Sequence, residues 1–279
     1  MTPADTLPRL SRLRTSAAVF PLLALFLVIA WSSGFVGIRY ATDAAPVATV
    51  LFWRSLVSGL LLLPLALATG PRITRAALAE QALFAFLGMF LYLGGFALAI
   101  GAGVATGLVA LMADLVPLAI AGLSLPILGQ RLTGRQWLGT AIGFAGVFIV
   151  SADALALGDA PVLAYVLPIM GMVSFALSTV LQGRMQRHVL AIHQRLALQC
   201  LWAALFFLLP ALATGAVAPP VTAEFAFGIG WLVLLATYGA WGVYYLCLRW
   251  YPPAQVSAVI YLSPPVTMIW AWALFDEPL

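Results

Sequence analysis

No lysine occurs in this sequence; all 13 basic residues are arginine. A phosphate-cradling loop of the Walker A kind needs a lysine to reach the phosphates, so the chain drives nothing by nucleotide hydrolysis of its own. Charge of either sign is scarce. Nine acidic residues complete a charged fraction of 8%, where a soluble domain carries about 25%. The arginines are scattered between apolar segments, which is not the footprint of a nucleic-acid partner. Histidine and cysteine occur twice each. His188 and His193 lie five apart beside a link and lack the further ligands a zinc site needs. Cys200 and Cys247 sit inside apolar runs, which argues against a disulfide framework and for small buried side chains. The sequence therefore calls for no metal and no cofactor. It offers no nucleophile with a base to support an enzyme.

What it has in abundance is oil. The hydrophobic fraction is 64%, too much for the surface of any water-soluble domain, so lipid must be the solvent. A membrane-crossing helix needs about 20 mostly apolar residues. The chain supplies nine such runs, at 17–38, 46–69, 77–100, 103–126, 135–152, 160–183, 194–214, 223–248 and 253–275. The runs do not alternate as barrel strands do, and helices satisfy their own backbone groups where lipid cannot. The expected fold class is an all-α polytopic membrane protein. Residues 1–16, with Arg9, Arg12 and Arg14, resemble the start of a signal peptide, but the run that follows is too long for one and reads as a retained first helix.

The arginines also orient the chain. With the N-terminus in the cytoplasm and nine crossings, Arg9, Arg12, Arg14, Arg72, Arg75, Arg131, Arg135, Arg184, Arg187, Arg195 and Arg249 all fall on the cytoplasmic side. Arg39 falls outside with Asp43, Asp153, Asp159, Glu224, Asp276 and Glu277, and Arg54 falls inside a span. That bias follows the positive-inside rule and checks the number of spans.

The sequence repeats itself. Pro117 stands 13 residues before Gln130, and Pro264 stands 13 before Glu277, so the two pairs share an offset of 147; Gly95 and Gly242 share it as well. Spans three and four thus match spans eight and nine. Five spans, an odd number, separate the copies, which makes them inverted. Inverted repeats with a site at their interface are a common construction in secondary transporters.

These elements carry a family resemblance. Trp31-Ser32-Ser33-Gly34-Phe35-Val36 in the first span, Arg54 in the second, the Pro117 and Pro264 stretches and Glu277 resemble the EamA-type branch of the drug/metabolite transporter superfamily, over nearly the whole chain. Within it the sequence is most similar to the YddG-type amino acid exporters. The resemblance implies two inverted repeats of five helices: 17–152 for the first, after a cytoplasmic segment 1–16, and 153–279 for the second. The second half holds four helices here, because the tenth helix of the family pattern is missing after Glu277-Pro278-Leu279 and only nine are seen. It also implies a multi-pass protein of a bacterial-type cytoplasmic (inner) membrane that exports metabolites, most of all amino acids including aromatic ones. Its partners would be the small-molecule substrate and the lipid bilayer, with the chain read as a monomer. The alternatives are an exporter of cationic drugs or other metabolites, a channel-like facilitator, and, behind these, a membrane scaffold or intramembrane enzyme.

Several residues are candidates for a site. An ionisable group at the bilayer centre costs about 2.5–3.5 kcal/mol on insertion scales, so it persists where a cavity or partner receives it. Arg54 and Asp114 are such groups, at depths that differ by roughly 5 Å at 1.5 Å per residue. They can meet the carboxylate and ammonium of a zwitterion, or simply pair and hold two helices together; Asp114 is also a candidate proton site. Tyr92, Tyr238, Trp241, Tyr245 and Tyr261 lie too deep to be interfacial anchors. Tyr238, Trp241 and Tyr245 follow the i, i+3, i+7 spacing of one helix stripe. Such a wall suits amino acids through apolar contact and cation–π attraction, though plain helix packing explains each aromatic as well. Ser174 and Ser178 can line the same space or bond back to their own helix. Gly94, Gly95, Gly101 and Gly103 are candidate hinges, against a packing or turn role. Pro117 and Pro264 should bend or unwind their spans.

Overall fold

The computed structural model describes residues 19–277 apart from 114, 130–132, 136, 140, 143–144, 147–148, 150–159, 186–189 and 252. Among the described residues the regular structure is helical throughout, with no strand. The helices are α1 (Val19–Ala44), α2 (Val47–Ala68), α3 (Arg75–Gly101), α4 (Thr106–Ala113), α5 (Val116–Leu128), α6 (Val162–Met185), α7 (Ile192–Ala213), α8 (Ala223–Trp250), α9 (Pro253–Ile260) and α10 (Ser263–Phe275). Among the described residues eight segments are long and apolar enough to cross a membrane, with α4–α5 forming one and the end of α9 with α10 forming another. Half of the run at 135–152, expected as a fifth span, lies outside the described residues. The 22 residues of α2 reach about 33 Å at 1.5 Å per residue, the thickness of a hydrocarbon core.

Burial is distributed as lipid demands. Leu61, Leu67 and Leu209 face outward, while Ser32, Ser33, Ser58, Gln81, Gln199 and Thr267 are buried within the bundle. Turned inward, these polar side chains avoid hydrocarbon; Ser32 and Ser33 donate to backbone carbonyls and Gln199 donates to Gln81. One boundary differs from the sequence expectation. α1 runs on to Ala44 and so includes Arg39 and Asp43, which had been placed in an outer link. The two are four residues apart and pair side by side, and the Thr42 hydroxyl bonds back to the carbonyls of Ile38 and Arg39. These contacts carry the helix beyond its apolar run.

The offset of 147 reappears in three dimensions. It maps Thr106–Ala113 onto Pro253–Ile260 and Val116–Leu128 onto Ser263–Phe275, end for end. The breaks match too: Leu115 (φ −73°, ψ −9°) and Leu262 (φ −85°, ψ −3°) precede the second halves. Pro117 and Pro264 each lie in the first turn of the restarted helix, where the missing N–H costs nothing. Both second halves end in a left-handed residue, Gly129 (φ 68°) and Asp276 (φ 55°). α3 and α8 share a further irregularity. Each contains π-helical turns, over Phe86–Leu91 and Leu232–Trp241, a feature that often marks functional sites.

α3 and α6 cross at small residues. A Cβ on Gly95 would lie 2.5 Å from the Leu167 carbonyl oxygen and 3.4 Å from the Gly171 Cα, and a Cβ on Gly88 would lie 2.8 Å from the Ser178 Oγ. The two contacts are seven residues apart on each helix and run antiparallel, a close approach typical of helices packed in membranes. Gly95 is thus a packing residue in this crossing. The backbone carbonyl cannot swing aside as a side chain would, so Gly95→Ala should lower stability by about 1–3 kcal/mol. Gly94→Ala meets Phe207 at an ordinary 3.5 Å and should stay within about 0.5 kcal/mol of the parent. Thermal unfolding of the two variants in detergent checks the contrast.

Candidate functional site

α2 and α7 lie against each other along their lengths, and their approach is set by Gly59, where a Cβ would come within 2.7 Å of the Leu201 side chain. Five residues before Gly59, α2 carries Arg54 inward, 3% exposed. Its Nε donates to the Thr237 hydroxyl at 3.1 Å. That hydroxyl in turn donates its own proton to the Leu232 carbonyl, five residues back, at 2.9 Å. With its proton committed, Thr237 can meet the guanidinium only as an acceptor. Thr237 belongs to the π-helical stretch of α8, so the irregular backbone fixes the angle of the arginine. A guanidinium has five N–H donors. Among the described residues Thr237 is its single hydrogen-bonding partner, and Arg54 is one of the residues that line a central cavity.

The cavity lies between α1, α2, α3 and α8. Trp31 and Phe35, Tyr92 and Phe96, Ala236 and Trp241, and Arg54 line it. It is narrow, with about 40 Å³ open to the centre of a water molecule, enough for a few waters and too little for an aromatic amino acid. One end is closed by rings: Trp31 stands 5.8 Å from Trp241 and 5.8 Å from Phe175, and Tyr92 stands 4.5 Å from Phe175, between centroids. Beyond them Tyr244 bonds Thr179 at 3.3 Å. Tyr245 donates to the Gln199 amide oxygen, whose amide nitrogen donates to Gln81 at 2.7 Å. Arg195 then covers the Tyr245 ring at 4.8 Å. The other end is a wider funnel lined by Arg39, Asp43, Gly101, Gly103 and Glu277, and it shares Ile100 with the cavity. There the Glu277 carboxylate accepts from both the backbone N–H (3.1 Å) and the hydroxyl (2.8 Å) of Thr106, across the start of α4.

Of the residues singled out from sequence, Arg54, Tyr92 and Trp241 line this one cavity. Tyr245 packs against Trp241 beneath it, at 5.9 Å between rings. Tyr238 leaves the expected stripe and donates to the Ser58 carbonyl at 2.8 Å. The π-helical turns, with i→i+5 bonding, shift the phase of α8 just there. Ser174 bonds back to the Gly171 carbonyl of its own helix at 2.8 Å, and Ser178 reaches across the α3–α6 crossing to the Phe84 carbonyl at 3.4 Å. Tyr261 is half-buried at the break before α10 and does not line the cavity. Asp114 lies outside the described residues. Gly94 and Gly95 belong to packing, while Gly101, whose Cβ would strike Val47 at 2.6 Å, and Gly103 (φ 92°) form the turn into α4. Pro117 and Pro264 are buried beside the breaks. Sequence reasoning missed Trp31, Phe35 and Phe96 as cavity walls, although Trp31 opens the most distinctive motif of the first span. It missed Thr237 altogether, since nothing in the residue order announces a π-helical turn.

The fold is thus that of a multi-span α-helical membrane protein with a buried cation at its centre. Comparison with known proteins places a family on part of it: residues 20–152 match the EamA-like transporter family, whose members are membrane transporters of small molecules rather than enzymes. A solved crystal structure shares the fold, with a TM-score of 0.74 at 21% identity over 95% of this chain and 91% of that one. No curated protein sequence matches the chain significantly.

The Thr237 hydroxyl is expected to hold the Arg54 side chain in place. Thr237→Val keeps the shape and removes the acceptor. A lost hydrogen bond to a charged group costs about 1.5–3 kcal/mol, so the melting temperature in detergent should fall, while Thr237→Ser should restore it.

Proposed function

We propose that the chain is a secondary transporter that exports small metabolites bearing a carboxylate, foremost amino acids including aromatic ones, by alternating access. The observation that carries this reading is Arg54: a buried guanidinium, bonded to one neutral hydroxyl, that lines a cavity with Trp31, Tyr92 and Trp241. A charge at this depth is costly unless something receives it. A substrate carboxylate is the geometric and electrostatic complement of the guanidinium fork, and the rings supply apolar area for the rest of the molecule. A cationic drug would instead meet a like charge.

The two ends of the cavity support alternating access. The stack of rings and the Gln81–Gln199–Tyr245 chain close one end, and the funnel at Arg39 and Glu277 leads in from the other. The arginine distribution supports a closed end at the cytoplasm, and with it a bacterial-type inner membrane with the N-terminus inside. The halves 17–152 and 153–279 act as inverted repeats, and their α3–α5 and α8–α10 segments rock against each other about the site. The resemblance to YddG-type exporters supports the choice of amino acids, and one chain holds a whole cavity, which supports a monomer as the working unit.

Purified protein in liposomes loaded with unlabelled phenylalanine should take up labelled phenylalanine by counterflow, above protein-free vesicles. Arg54→Gln should raise KM or cut the rate by at least about tenfold, the loss of one charge-assisted bond, and Arg54→Lys should fall between. Unchanged KM and rate in Arg54→Gln would remove Arg54, and this reading, from the site.

A further inference from the structure

We infer that the site recognises a carboxylate on an apolar body and does not read the α-ammonium of an amino acid, so that apolar 2-oxo acids and related monocarboxylates are substrates of the same cavity. The inference rests on the reading of Arg54 as the substrate anchor and names the substrate class more narrowly.

Three features of the cavity lead to it. First, among the described residues that line it Arg54 is the one charged side chain and none is acidic. A monocarboxylate therefore brings the site to neutrality, a zwitterion leaves it with one positive charge, and an amine would give it two. In a cavity of low dielectric and little water, the neutral complex is favoured and like charges repel strongly. Second, the donor count suits an oxo acid. Thr237 takes one N–H of the guanidinium, and four remain. A carboxylate fills two of them, and a 2-oxo oxygen can accept another, whereas an ammonium is itself a donor and offers Arg54 nothing. Third, the rings spend their faces on one another. Phe175 meets Trp241 edge-on (84°), and Phe35 meets Phe96 edge-on (88°). Trp31 is flanked by Tyr92, Phe175, Trp241 and Tyr244. These contacts among the described rings leave less open face for capturing an ammonium group.

The test uses three probes with the same ring and chain: phenylalanine, phenylpyruvate and phenethylamine. Each is added outside liposomes carrying the protein as a competitor of labelled phenylalanine counterflow, with protein-free vesicles as the blank. Phenylpyruvate is expected to compete at a concentration equal to or below that of phenylalanine, and phenethylamine is expected not to compete at 30-fold higher concentration. Phenylpyruvate should raise the melting temperature of the parent protein in detergent and leave that of Arg54→Gln unchanged. If phenylalanine is carried but phenylpyruvate fails to compete at tenfold excess, or if the amine competes, the ammonium is being read and the inference falls while the transporter reading stands. If labelled phenylalanine shows no saturable counterflow and no probe shifts the melting temperature of the protein, the anchor reading falls and takes this inference with it.

Discussion

A guanidinium held among oily helices must be answered by something, and the architecture around Arg54 is arranged to answer it incompletely. Among the described residues the guanidinium meets one acceptor, the Thr237 hydroxyl, whose lone pair is available because its proton is already committed to the Leu232 carbonyl. Full satisfaction by a protein carboxylate would make the charge a structural fixture, with a strong internal pair and no capacity left for a ligand. Leaving the charge at a cavity wall instead stores an unmet electrostatic demand. That demand can persist only in a bundle stiff enough not to collapse onto it.

Stiffness comes from the small residues. Gly59 lets α2 approach α7 beside the arginine, and Gly88 and Gly95 bring α3 against α6 behind Tyr92. Side-chain bonds then pin the helices at their ends, through the buried Gln81 and Gln199 on one side and the half-buried Thr106–Glu277 contact on the other. The cavity is therefore bounded by tightly packed pairs and crossed by rings that can change rotamer. The irregular turns of α3 and α8 lie beside it, at equivalent places in the repeat.

The helices were legible in the sequence because lipid imposes one rule on every span, and run length reports it directly. The repeat was legible because Pro117 and Pro264 hold their spacing to Gln130 and Glu277. The site was legible where chemistry is rare: Arg54 stands out in an apolar run, and Tyr92 and Trp241 are deep aromatics. It was illegible where the answer depends on helix phase. Tyr238 leaves the stripe because α8 widens to π-helical geometry, and the same widening brings Thr237 to Arg54. Ser174 and Ser178 illustrate a second limit. Their spacing fits a cavity face and a helix crossing equally well, and the glycines on the opposing helix, distant in sequence, settle which one forms.

Glu277 has a consequence for motion. Its carboxylate takes two of the donors at the start of α4, the backbone N–H and the hydroxyl of Thr106, at the end of a helix whose first four N–H groups have no partner of their own. The chain's last described residue thus finishes a helix that begins 171 positions earlier. Parting α10 from α4 at that face strips a cap from one copy and leaves a bare carboxylate on the other, so the separation costs both copies at once. Water entering the widened mouth is the natural replacement partner for both, which ties the wetting of that face to its opening.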